Sequence, residues 1–173
     1  TTGKDAIYVV ANTADEGGLV VEGLTVDVAT GAGIYATGMA DILLESVTIT
    51  DSSEEGIYVA GDFSSYDYAT STSTVGVRAV ETTLSEVSVL GADLDGIVLS
   101  DGSASVSVSQ ATGGLGDGLA LVDTAASITG NTLTGNAFYG MSCSNVVLEA
   151  CATNTLSDNT LGTHDGCDDA CDD

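Results

Sequence analysis

The sequence predicts an all-β fold, a solenoid of about seven stacked parallel coils. Three observations predict it: a short phrase that returns every twenty-odd residues, an apolar–polar alternation inside each return, and the absence of any helical apolar stripe. The phrase is seen in "DAIYVV", "GAGIYATG", "EEGIYVAG", "VGVRAV", "DGIVLS", "DGLALV" and "YGMSCS". Ala6, Gly33, Gly56, Gly76, Gly96, Gly118 and Gly140 begin these returns, with steps of 27, 23, 20, 20, 22 and 22 residues.

After each start comes Ile7, Ile34, Ile57, Val77, Ile97, Leu119 or Met141, and two places later Val9, Ala36, Val59, Ala79, Leu99, Leu121 or Cys143. Alternate apolar residues make a strand with one buried face, so Ile34, Ile57, Val77, Ile97, Leu119 and Met141 are expected to form a single buried column. A second alternating segment follows in most units: Leu24, Val26 and Val28; Val47 and Ile49; Val87 and Val89; Val106 and Val108. Gly, Asp, Asn and Ser separate these short strands, as turns require. From Gly61 to Val75 the alternation is lost. The steps of 20 on either side of Gly76 favour a ragged coil there, and the run of Ser and Thr favours a loop; the coil is the preferred reading.

The core of such a fold must be thin. The 173 residues are 43% hydrophobic with a mean hydropathy of +0.29, yet they include 22 Gly, no Trp and eight aromatics. Twenty-six acidic residues against two basic ones give a formal charge of −24, which repels nucleic acid and anionic membranes and favours cations or hydroxyl-rich surfaces as partners. No apolar run has the length of a membrane span. The opening "TTGKD" fits either a removed leader or an excised piece. Cys143, Cys151, Cys167 and Cys171 all lie near the C-terminus, where two disulfides in an oxidising compartment are preferred to a zinc site, since no CxxC and no second His accompany His164. Sequence neighbours are expected to pair, Cys143 with Cys151 and Cys167 with Cys171.

The phrases "NTLTGN" (131–136) and "NTLSDN" (154–159), with the recurring "DGIVL" and "YGMSC" starts, resemble the right-handed parallel β-helix repeats of the pectin-lyase-like superfamily over residues 6–162. The resemblance implies a right-handed parallel β-helix over residues 1–162, with 163–173 as an acidic, cysteine-containing cap or the start of a linker. It leaves function open, because that superfamily includes lyases, hydrolases, adhesins and passive surface proteins. Asn and Asp at coil corners accept left-handed backbone and can bond the next coil.

Stacked coils turn any repeated residue into a ladder. Tyr8, Tyr35, Tyr58 and Arg78 occupy one outward step in the assumed register, forming either a support for an exposed sheet or a flat aromatic platform for sugars or a neighbouring subunit. Asp95 and Asp117 precede successive starts, with Asp93 two places away. They are either solvated turn carboxylates or a calcium site. Asp165, Asp168 and Asp169 crowd the tail in a pattern that looks similar to the start of an acidic calcium-binding repeat, with incomplete ligand spacing. No catalytic residue is assigned: Lys4, Arg78 and His164, the basic candidates for proton transfer, lie far apart in sequence. The preferred reading is therefore a non-catalytic extracellular or cell-surface solenoid, structural or adhesive, that forms a homo-oligomer or a head-to-tail filament. Its rival is a calcium-dependent protein that binds or cleaves carbohydrate.

Overall fold

The computed structural model describes residues 4–11, 17–67, 72–167 and 171. They form a parallel β-solenoid of about six turns with three faces. Strands are numbered along the chain. The first face stacks β1 (Ile7–Val10), β4 (Ile34–Thr37), β7 (Ile57–Ala60), the leading halves of β12 (Ile97–Ser107) and β14 (Leu119–Thr129), then β16 (Tyr139–Ser144) and β18 (Gly162–Asp165). The second face stacks β2 (Gly18–Glu22), β5 (Asp41–Glu45), β10 (Val80–Ser85), the trailing halves of β12 and β14, and β17 (Val147–Ala152). The third face is a separate sheet of three-residue strands: β3 (Thr25–Asp27), β6 (Thr48–Thr50), β11 (Ser88–Leu90), β13 (Gln110–Thr112) and β15 (Thr132–Thr134).

The buried column forms as the repeat requires, with one exception. Ile34, Ile57, Ile97, Leu119 and Met141 are partners in register and are fully buried. Val77 is 62% exposed and takes no place in it. The next coil after Ile57 begins at Ile97, and the intervening chain throws out an antiparallel hairpin, β8 (Asp62–Asp67) with β9 (Thr72–Val77). The expected ragged coil at 61–75 is thus a hairpin insertion, and Gly76 is not a coil start. The step of 20 misled because the hairpin adds nearly one coil's length to the chain. Its two ends meet where the Arg78 N–H donates to the Gly61 carbonyl at 2.9 Å.

The recurrent glycine has a steric cause. A Cβ on Gly33, Gly56, Gly96 or Gly118 would sit 2.6–2.7 Å from the carbonyl oxygen of the equivalent glycine in the next coil, inside van der Waals contact. Any side chain there would push the coils apart at the point where the chain enters the first face.

Two further columns bend each coil through left-handed backbone. Gly23, Ser46, Glu86, Val108, Gly130 and Thr153 turn the chain from the second face to the third, and Val28, Asp51, Gly91, Gly113, Gly135 and Asp158 turn it away from the third. From Gly23 through Gly135 a backbone N–H at each of these corners still reaches a carbonyl of the next coil, as from Val108 to Thr129 at 3.2 Å, so the bend keeps the inter-coil bonding.

The two Asn-rich phrases place amides inside these corners. The Asn131 side-chain nitrogen donates to Val106 O at 2.9 Å and to Asn154 Oδ1 at 3.1 Å, while Asn136 does the same to Ala111 O and Asn159 Oδ1. In earlier coils the position of Asn131 is held by Val47, Val87 and Ser109, so the columns change from apolar to amide toward the C-terminus. Asn131 and Asn136 are each 1% exposed, and their bonds satisfy both the side chain and the backbone it crosses.

Two substitutions test this account in opposite directions. Val108 holds a left-handed φ of 49° with its side chain 67% exposed, so Val108→Gly relieves strain without emptying the core and is expected to raise unfolding stability by about 1 kcal/mol. Gly96→Ala should lower stability by about 2 kcal/mol or more, because neither the Gly118 carbonyl nor the Ala111 side chain can retreat without moving its coil. Denaturant titration of both variants, read by circular dichroism, checks the pair.

Candidate functional site

The outward residues of the first face form the most organised group of large side chains on the surface. Tyr8, Tyr35 and Tyr58 are exact neighbours in register because each sits between two inward residues of the same step in successive coils. Their rings stack, with centroids 5.2 Å apart for Tyr8–Tyr35 and 5.0 Å for Tyr35–Tyr58, and with planes 13° and 6° from parallel. Such spacing turns the faces of the rings toward one another and leaves edges and hydroxyls outward. The expected flat platform is therefore corrected: the inner ring faces are already used. Tyr8, 65% exposed at the end of the stack, keeps one face open.

Arg78 does not follow Tyr58 in this row. That step belongs to Val98, continued by Ala120, Ser142 and Asp165, because the hairpin displaces Arg78 from the register. Its Nη1 instead donates to the Gly38 carbonyl at 3.4 Å, at the corner where the hairpin leaves the coil. Thr37 and Ala60, which face outward beside the tyrosines, are only 6% and 1% exposed, so the first face is covered there.

Acidic groups surround the stack. Burial raises the pKa of Tyr35, and Tyr8, Asp5, Asp62 and Glu55 raise it further. Burial likewise raises Tyr58, followed by Tyr35, Asp62, Glu55 and Asp101. Both hydroxyls consequently keep their protons and serve as hydrogen-bond donors at the surface.

The carboxylates just before the coil starts also stack: Gly56 N–H donates to Asp95 O, and Gly96 N–H to Asp117 O, which puts Glu55, Asp95 and Asp117 in successive coils. Each Asp accepts a backbone bond from the coil above. Asp117 N–H donates to Asp95 Oδ1 at 2.7 Å, and Tyr139 N–H to Asp117 Oδ1 at 2.9 Å; at the other end Ala32 N–H donates to Asp5 Oδ1 at 2.8 Å. Asp93 is exposed two residues before Asp95, and Asp165 is exposed in β18, far along the stack. Asp168 and Asp169 lie outside the described residues. Among the described residues no three His, Cys, Asp or Glu side chains gather as a metal centre.

Burial raises the pKa of Asp95; the Asp117 N–H opposes this, and the Asp117 carboxylate reinforces it. Glu55 is raised by burial first, against its own backbone hydrogen bond, and then by Glu54, Asp95 and Asp5.

The cysteines pair across coils: Cys143 with Cys167 and Cys151 with Cys171. The expected pairing of sequence neighbours is wrong because eight residues carry the chain from the first face at Cys143 to the second at Cys151. Separations of 24 and 20 residues instead approximate one turn of the solenoid, which brings the partners' Cα atoms to 4.9 Å in both bridges. The proposed boundary at residue 162 also falls inside the stack, since β18 pairs with β16 from Gly162 through Asp165.

The outside of the second face holds a shallow trough lined by Glu81, Thr83, Ser103, Ser105, Ser127 and Glu149. Its hydroxyls come from the outward steps of adjacent strands, which the sequence expectations missed because they took the outward step of the first face alone. The in-register columns would have revealed it.

A family model described as "Right handed beta helix region" matches residues 5–169. The chain is a right-handed β-helix protein. None of the curated proteins and none of the solved structures matches the chain significantly. In this β-helix the basic side chains stay apart: Lys4 lies beside Thr30 of the first coil, Arg78 at the hairpin corner, and His164 opposite Met141 in the last strand.

The Asp95 geometry gives a pH prediction. A carboxylate whose pKa is higher folded than unfolded contributes stability that is full below its ordinary pKa and is lost as pH rises through the raised value. Asp95→Asn keeps an oxygen for the Asp117 N–H and removes the buried charge. It is expected to be more stable than the parent at pH 7, with that difference shrinking toward pH 3, as urea titrations at the two pH values would show.

Proposed function

We propose that this β-helix acts outside the cell as a non-catalytic structural or adhesive solenoid that associates end to end through its first coil. The observation that carries the reading is the asymmetry of its two ends. At the N-terminal end, β1, β2 and β3 close their sheets with one edge each among the described residues, and Tyr8 offers the open face of a three-ring stack. Unpaired edges of this kind are templates for another strand, and an open aromatic face adds about 0.5–1.5 kcal/mol when a second ring covers it. At the other end, two disulfides tie the final segment to the coil beneath.

Two disulfides support an oxidising compartment, and hence an extracellular or cell-surface location. The charge of −24 opposes sideways packing, so axial contact is favoured while added salt or calcium, acting on the acidic surface, permits lateral contact. A second reading, a calcium-dependent carbohydrate-binding or carbohydrate-cleaving protein, is favoured by the trough of hydroxyls flanked by Glu81 and Glu149. Polyuronate binding and cleavage assays with and without calcium distinguish it.

The test of the end-to-end reading follows particle size by light scattering and analytical ultracentrifugation during sodium chloride and then calcium titrations. The parent chain is expected to associate, and Ile7→Asp and Tyr8→Ser to remain monomeric with unchanged circular dichroism. A parent that stays monomeric throughout removes the reading.

A further inference from the structure

The third face differs from the other two in what it turns outward. Its strands present two columns in strict register. One runs Thr25, Thr48, Ser88, Gln110, Thr132, with Thr155 bridged to Thr132, and the other runs Asp27, Thr50, Leu90, Thr112, Thr134, with Ser157 next in step. Seven of these twelve positions are Thr, two are Ser, and one carries a charge. On the second face, the fifteen outward positions of its first five strands include two Thr, Thr83 and Thr129, and four acids, Glu22, Asp41, Glu45 and Glu81. The strand propensity of Thr applies to both faces alike and does not account for the difference. In a chain with 26 acidic residues, a nearly uncharged face of threonines is a local feature that requires its own explanation.

The geometry of the array is regular in two directions. Adjacent coils set hydroxyls about 4.8 Å apart, and alternate residues of one strand set them about 6.6 Å apart. The left-handed corners that bound every strand of this face recur coil after coil, and no register shift interrupts the sheet. Thr48, Thr112, Thr132 and Thr134 are partly exposed to solvent. Thr50 donates to Val26 O and Asp27 Oδ1, and Ser88 accepts from Gln110.

We propose that this third face binds the surface of ice. The two spacings are of the size of the oxygen repeats of hexagonal ice, and each Thr supplies a hydroxyl that can enter a water lattice together with a methyl group that confines the water beside it. Charged groups, which hold water in shells of their own, are nearly absent from the face. Aromatic side chains, on which sugar rings stack, are also absent from it, which favours ordered water over a crystalline polysaccharide. The array is incomplete at Leu90 and Gln110, which lie diagonally on neighbouring strands in the middle of the sheet, so binding by the natural chain is expected to be moderate and improvable.

The experiment grows single ice crystals in solutions of the full chain and measures both the gap between melting and freezing and the inhibition of recrystallisation. The parent chain should shape crystals and open a gap that grows with concentration. Thr112→Tyr and Thr134→Tyr should close the gap to the buffer baseline with circular dichroism and melting temperature preserved, whereas Val20→Tyr on the second face should leave it unchanged. Leu90→Thr combined with Gln110→Thr should widen it. A parent chain without effect on ice up to its solubility limit overturns the proposal, as does equal loss in Val20→Tyr. Retention of the chain by crystalline cellulose or chitin without any effect on ice overturns it in favour of a polysaccharide.

Discussion

Everything in this molecule depends on the in-register hydrogen bonding of each coil to the next. Once Ile34 lies over Ile57 and Tyr35 over Tyr58, every other residue of the coil has its neighbour chosen for it. A side chain is therefore tested against copies of itself, repeated every few ångströms along the axis. Inward positions accept this through interdigitated aliphatic groups, and the amides of Asn131 and Asn154 accept it by bonding one another. Carboxylates do not accept it freely. Asp95 and Asp117 remain adjacent because each accepts a backbone hydrogen bond from the following coil, while burial, and after it the Asp117 charge, raises the pKa of Asp95.

The same constraint separates the roles of the three faces. The first gathers aromatic rings, the second hydroxyls with Glu22, Asp41, Glu45, Glu81 and Glu149, and the third threonines in two regular files. Because a parallel solenoid grows by adding coils, a surface pattern can be extended indefinitely without redesigning the core beneath it. The ends alone escape this rule. Among the described residues Tyr8 has a ring on one side alone, and at the other end covalent bridges join the final segment to the coil beneath it.

The coil architecture was legible in the sequence because the glycine that opens the first face and the apolar residue after it are imposed by contact between coils, and both recur in nearly every turn. The tyrosine stack was legible for the same reason. Arg78 and Val77 were misplaced because the hairpin between Gly61 and Arg78 has nearly the length of a coil and imitates the period without obeying the register. Disulfide pairing was hidden for a related reason: closeness along the chain is a poor guide in a solenoid, where residues one turn apart are nearer than residues a third of a turn apart. The hydroxyl files were missed because the outward steps of the second and third faces were not followed, and the use of the ring faces was hidden because it depends on how neighbouring side chains orient.

The hairpin itself has a consequence for how this surface is remodelled. It leaves the solenoid at Gly61 and rejoins it at Arg78, where a backbone hydrogen bond joins the two ends, while the coils on either side keep pairing directly, Ile57 with Ile97 and Leu44 with Leu84. The scaffold thus treats the excursion as a parenthesis. A segment of different length or composition inserted between the same two anchors would meet no constraint from the stack, so the corner beside the tyrosines is a graft point where new recognition can be acquired without altering the register of any coil.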